Sequence, residues 1–113
     1  MKIMNWIPLT DVQQLDLIQK NSFTTPQVIF KHSITCSISK MALARIERAE
    51  APENIQFHYL DLLNYRAISN AIAEKFNVFH ESPQILLIKN GECTFDESHG
   101  GIQMEEIIEQ ATI

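Results

Sequence analysis

The sequence predicts an α/β domain built on one central mixed sheet with helices on both faces, in the order β-α-β-α-β-α-β-β-α. Three observations carry that prediction. β-branched and aromatic runs alternate with segments of helical periodicity as far as Phe76, a pattern that requires parallel crossovers. Asn90-Gly91 then separates two strand-like runs, the strongest short hairpin signal, and adds an antiparallel pair. Ile85-Leu86-Leu87-Ile88 is a continuous apolar run, as expected of a strand covered on both faces.

The elements follow in order. Trp6 to Leu9 is the first strand. Thr10 reads as an N-cap, Asp11 suits the positive end of a helix, and Val12, Leu15 and Ile18 recur on one face of a helix ending near Asn21. Ser22 to Pro26 is a loop. Gln27 to Lys31 is a buried strand, with Lys31 read as its solvated end and His32 to Thr35 as the turn that follows. From Cys36 to about Ala49 the pattern is helical, with Ile38, Met41, Ala42 and Ile46 facing inward and Pro52 just beyond the end. Ile55 to Leu60 alternates as a strand closed by Asp61. Asn64 to Phe76 is a helix with Ile68, Ile72 and Phe76 on one face. The loop from Asn77 to Ser82 leads to Pro83 and the apolar strand, Glu92 to Phe95 returns, and Gly100-Gly101 precedes a last helix from Gln103 to Gln110.

The chain has 113 residues, which fits a single domain spanning 1–113. With 45% hydrophobic residues it can bury a core without a disulfide scaffold or structural metal. The formal net charge is −5 and the basic residues form no stripe, which argues against a nucleic-acid partner. The run from Met1 to Leu9 is broken by Asn5 and Pro8, too short and polar for a signal peptide or a membrane span. The expected compartment is therefore the cytoplasm, with no membrane partner. Cys36 and Cys93 read as free thiols, and the histidines and cysteines show no metal-ligand spacing.

The candidate chemistry lies at Cys36, at the junction of a buried strand and a helix N-terminus. Cysteine reacts as the thiolate, and the unpaired N–H groups and dipole of a helix N-terminus stabilise that anion. The alternative is a small core residue, since free cysteine is often buried. The small hydroxylated neighbours Thr35, Ser37 and Ser39 favour an approachable site. Ser39 stands one helical turn on, where C-x-x-C enzymes carry a second thiol. A lone thiol cannot close a local disulfide but can take over the adduct of a mixed disulfide and wait for a second thiol. Pro83, after Ser82, is either an ordinary strand-start proline or a cis residue that turns the Ser82 backbone toward the nucleophile. Cys93, on the hairpin return, reads as structural rather than resolving.

These features together resemble the thioredoxin superfamily. More narrowly, the chain is similar to the monothiol bacilliredoxins of the YtxJ type. Phe30-Lys31-His32-Ser33-Ile34-Thr35-Cys36-Ser37-Ile38-Ser39 resembles that family's Phe-Lys-His-Ser strand end followed by Thr-Cys-Pro-Ile-Ser. Tyr59-Leu60-Asp61-Leu62 with Arg66, Ile68 and Ser69, and His80-Glu81-Ser82-Pro83-Gln84 with Lys89-Asn90-Gly91, extend the likeness over nearly the whole chain. The resemblance implies a thioredoxin-like fold, a cis Pro83, and Cys36 as the nucleophile that removes bacillithiol from protein mixed disulfides. It implies no bound cofactor, bacillithiol as thiol co-substrate, and S-bacillithiolated proteins as partners. Substrate contacts are expected at Thr35, Ser37, Ser39, Ser82 and Pro83. The chain departs from the pattern at Ser37, where the family carries proline. The competing expectation is a redox-inert or redox-sensing module that binds partners through the groove between Cys36 and Pro83.

Overall fold

The computed structural model describes residues 3–113, so Met1 and Lys2 of the expected 1–113 domain lie outside the described residues. Along the chain run β1 (Trp6–Pro8), α1 (Gln14–Asn21), β2 (Gln27–His32), α2 (Ser37–Arg48), β3 (Gln56–Asp61), α3 (Arg66–Phe76), β4 (Gln84–Lys89), β5 (Glu92–Ser98) and α4 (Met104–Ala111). A 3-10 turn, His99–Gly101, precedes the last helix. The strands form one sheet in the order β1-β3-β2-β4-β5. β1 and β2 run parallel to β3, while β4 is antiparallel to β2 and β5 to β4. This is the mixed sheet that the alternation of elements and the Asn90-Gly91 turn require.

Each face of the sheet carries its own core. Val28, Phe30, Ile85 and Leu87 pack with Ala42 and Ile46 of α2 and Ile107 and Ala111 of α4. Ile29, Leu60, Leu86 and Ile88 pack with Leu15 and Ile18 of α1 and Ile68, Ile72 and Phe76 of α3. The apolar run of β4 is thus split residue by residue between the two cores, which is why it shows no polar alternation. Each such side chain, removed from water, contributes roughly 1.5–3 kcal/mol. At the hairpin, Asn90 (φ 53°) and Gly91 (φ 84°) both adopt positive φ, the geometry of the tight turn that matches strand twist.

Several boundaries differ from expectation. α1 begins at Gln14, because the Gln14 side-chain carbonyl accepts the N–H groups of Thr10 (2.8 Å) and Asp11 (2.9 Å). Thr10 is therefore no N-cap, and Val12, one turn too early, is exposed. α3 begins at Arg66 rather than Asn64, whose amide donates to Asp61 Oδ2 at 2.7 Å and holds the preceding turn. His32 ends β2 rather than opening a turn. On α2, Ile38 and Met41 are exposed, whereas Ser39, Ala42 and Ile46 are buried. Ala42 and Ile46 face inward as expected, but the buried row starts from a serine, so hydrophobicity alone adds Ile38 and Met41 to it wrongly.

Candidate active site

Because β1, β3 and β2 run parallel, α2 and α3 both start at the same end of the sheet. β4 runs the other way, and Lys31 pairs with Gln84, so Pro83 enters the sheet where β2 leaves it. Residues 33–36 and the end of the segment that leads into Pro83 therefore lie at the same end of the sheet. A third segment joins them: His99 N–H donates to the Pro83 carbonyl at 3.1 Å. Arg45 of α2 ties the same segment down, donating to the carbonyls of Ile102 (2.8 Å) and His99 (3.1 Å).

Cys36 is the N-cap residue of α2, with extended backbone (φ −101°, ψ 121°), and its side chain makes no capping hydrogen bond. Its carbonyl accepts the first α-helical bond, from Lys40 N–H at 3.0 Å. The N–H groups of Ser37, Ile38 and Ser39 belong to the unpaired first turn, and no acidic residue stands there to compete for them. The half-buried sulfur sits at the positive end of a 12-residue helix. Thr35 and Ser37, on either side, are exposed. This arrangement presents the sulfur at a helix terminus, where an incoming disulfide can reach it.

Ser39 differs from the expected substrate contact: it is 0% exposed. Its hydroxyl oxygen accepts Ser33 N–H at 3.0 Å and lies 2.7 Å from His32 Nδ1. The Ser39 hydroxyl has one proton and a second lone pair, so it pairs with His32 Nδ1 whichever of the two carries the shared proton. Burial pushes the His32 pKa down, outweighing Asp61 and Glu47, which favour the cation.

The Ser82–Pro83 peptide bond is cis, as the resemblance implied and the residues alone did not decide. Pro83 is buried, and Ser82 Oγ is buried with no hydrogen-bond partner among the described residues. At the exposed rim, His99 Nε2 lies 3.5 Å from Glu81 Oε2.

Lys31 was expected to be a solvated strand end and is fully buried. Its side chain points to the α1/α3 side, with Nζ 3.4 Å from the Ser69 carbonyl and 3.3 Å from His80 Nδ1. Burial lowers its pKa from 10.5 to about 8. His80 in turn is pushed down by burial, then by the charges of Lys31 and Arg66. Lys31 thus links β2 to α3 and to the segment preceding Pro83.

Cys93 lies on the edge strand β5, half-buried, its thiol directed at the Phe95 carbonyl at 3.4 Å. Burial, then Asp96, pushes its pKa up to about 11. It is a poor nucleophile near neutral pH. Among the described residues no helix is long and apolar enough to cross a membrane.

Comparison with known proteins agrees with this geometry. Residues 7–107 match the family model described as monothiol bacilliredoxin BrxC. A protein described as having a thioredoxin fold is 32% identical, with 95% of this chain and 93% of that chain covered and a TM-score of 0.79. Thioredoxin from Malassezia sympodialis superposes with a TM-score of 0.76 at 15% identity, covering 100% of this chain and 96% of its own. Thioredoxin O2 from Arabidopsis thaliana gives 0.71 at 16% identity, with 93% and 92% covered. The latter two establish the thioredoxin fold.

Proposed function

The chain belongs to the monothiol bacilliredoxin family and is a thiol–disulfide oxidoreductase, and from that premise we propose that it removes bacillithiol from protein mixed disulfides through Cys36. The Cys36 thiolate attacks the bacillithiol sulfur of a protein–S–S–bacillithiol bond. That bond breaks, the protein leaves as a thiolate that takes a proton from water, and a new disulfide joins Cys36 to bacillithiol. A low-molecular-weight thiol then attacks the adduct, leaves as the oxidised small-thiol disulfide, and returns Cys36 as thiolate. Electrons are exchanged between sulfurs throughout, so no bound cofactor is needed.

The observation that carries this reading is the pairing of Cys36 at the α2 N-cap with Ser39, not cysteine, one turn on. The exposed Thr35 and Ser37 border the approach, and the Ser82–Pro83 segment supports a role as the opposite wall, where an extended chain flanking the mixed disulfide can lie. Ser37, in place of the family proline, keeps a backbone N–H free at the first helical position. The working compartment proposed is the cytoplasm, where thiols are kept reduced.

The test is turnover of an S-bacillithiolated protein, followed by intact mass. Wild type frees the substrate thiol, and Cys36→Ala does not. Equal rates for the two would refute the reading. A wild type that forms no adduct at Cys36 at all would favour the binding module instead.

A further inference from the structure

We propose that His32 and Ser39 are a positioning pair for Cys36, and that Ser39 fills the one-turn position as a clamp rather than leaving a resolving position vacant. The proposal rests on the reading of Cys36 as the nucleophile.

The geometry is a suspended loop. Ser33 is held at both ends of its peptide unit: its N–H donates to Ser39 Oγ at 3.0 Å, and its carbonyl accepts Cys36 N–H at 3.2 Å. Its own hydroxyl lies 3.3 Å from Thr35 Oγ1. The turn that delivers Cys36 is therefore anchored to the first turn of α2 through one hydroxyl oxygen. That oxygen is oriented by its second bond, to His32 Nδ1 at 2.7 Å, and His32 is itself 3% exposed at the end of β2. Strand, loop and helix meet at Ser39 Oγ, and Cys36 is the residue they enclose.

A thiol cannot replace this hydroxyl. Sulfur is a weak acceptor and S–H a weak donor, so cysteine at 39 would leave Ser33 N–H and His32 Nδ1 poorly served in a buried site, where an unmade hydrogen bond costs most. The second thiol of a C-x-x-C enzyme and the His32 clamp are mutually exclusive occupants of one place. The monothiol character of the chain is thereby built into the support of its nucleophile.

The clamp also has a protonation state. His32 is faced by Phe30 on its own strand, Tyr59 and Asp61 on β3, and Lys40 and Glu47 on α2. A protonated imidazole carries N–H at Nδ1 and donates it to the second lone pair of Ser39 Oγ while the hydroxyl proton turns elsewhere, so the clamp holds in both protonation states of His32.

The experiment uses a chain carrying Cys93→Ser, so that Cys36 is its only thiol, and measures attack on dithiobis-nitrobenzoate by the chromophore released. Rates are divided by the thiolate fraction, read from ultraviolet absorbance across the pH range. Ser39→Ala is expected to slow the attack per thiolate about tenfold, the kinetic equivalent of roughly one net hydrogen bond. His32→Asn keeps a polar partner in the place of Nδ1 and is expected to stay near the parental rate, whereas His32→Leu, which removes that partner, is expected to slow the attack as Ser39→Ala does. Ser39→Cys is expected to slow release of the first chromophore. The proposal is overturned if Ser39→Ala attacks at the parental rate, or if Ser39→Cys attacks as fast or faster. Should Ser39→Ala fail to fold, the two His32 variants decide: equal rates for His32→Asn and His32→Leu overturn the clamp. A parent that reacts no faster than free cysteine defeats the functional reading itself, which is a separate outcome.

Discussion

Replacing Lys31 with methionine tests the physics of the site most sharply. Lys31 is 0% exposed, and its two acceptors, the Ser69 carbonyl and His80 Nδ1, match the two N–H groups of a neutral amine. Burial takes its pKa from 10.5 to about 8. At about 1.4 kcal/mol per pKa unit, holding the ammonium in the fold costs roughly 3 kcal/mol. Below pH 8 the lysine is charged folded and unfolded, and the cost is borne in full. Between about 8 and 10.5 the folded state has lost its proton while the unfolded chain keeps it, so stability climbs with pH; above 10.5 the cost is gone. Lys31→Met carries no such burden. Its stability relative to wild type is therefore highest near about pH 7 and falls by roughly 3 kcal/mol toward about pH 11, a loss of roughly 10 °C in relative melting temperature. Urea titrations read by the fluorescence of Trp6, the single tryptophan, measure both proteins at each pH. Tyr59 and Cys93, whose pKa values are raised, also titrate in alkali, but they do so in both proteins and cancel in the difference. A gap that stays constant from neutral to alkaline pH would refute the buried-amine assignment.

His58 should show the mirror case on the acid side: burial lowers its pKa from 6.5 to about 4, so the stability it contributes is complete above 6.5 and is lost as pH falls toward 4. His58→Phe should flatten that part of the urea-midpoint profile, and an unchanged acid slope would count against the assignment. Alkylation at mildly alkaline pH, followed by intact mass, should label Cys36 well before Cys93, whose thiol is pushed up to about 11; equal labelling would contradict the burial of Cys93. Gly91→Ala should cost about 1–3 kcal/mol because the position has φ +84° and a Cβ there would stand 2.8 Å from Phe23 Cζ. Gly100→Ala, where a Cβ meets nothing within 4 Å, should melt close to wild type, and equal losses at the two glycines would remove the backbone explanation.

The fold was legible because its signals are local and redundant. Period changes mark β2, α2, β3 and α3, and Asn90-Gly91 fixes the hairpin without reference to the rest of the chain. Ser37–Arg48 was also found almost to its ends, since a strand precedes it and Pro52 follows. Two of its expected inward residues, Ile38 and Met41, are exposed, whereas the buried row begins at Ser39. Hydrophobicity cannot mark a buried serine, and the partners that make it worth burying, His32 and Ser33, come from the strand end. Lys31 was missed for the same reason: a charge in a central strand is tolerated only through acceptors supplied by α3 and by the segment before Pro83, and their positions depend on the tertiary fold. Cys36, the proposed nucleophile, needs no such information, because a cysteine at a strand–helix junction declares its helix terminus locally. The cis bond at Pro83 lay between these cases, open from the residues and implied only by the family likeness.

The most direct measurement of the central claim is the intact mass of the protein after exposure to oxidised bacillithiol. The proposal requires a single adduct, one bacillithiol in disulfide linkage, located on Cys36 by peptide mapping and absent from Cys36→Ala. An adduct of equal yield in Cys36→Ala, or none in wild type, would contradict the assignment of Cys36 as the sulfur that carries the small thiol.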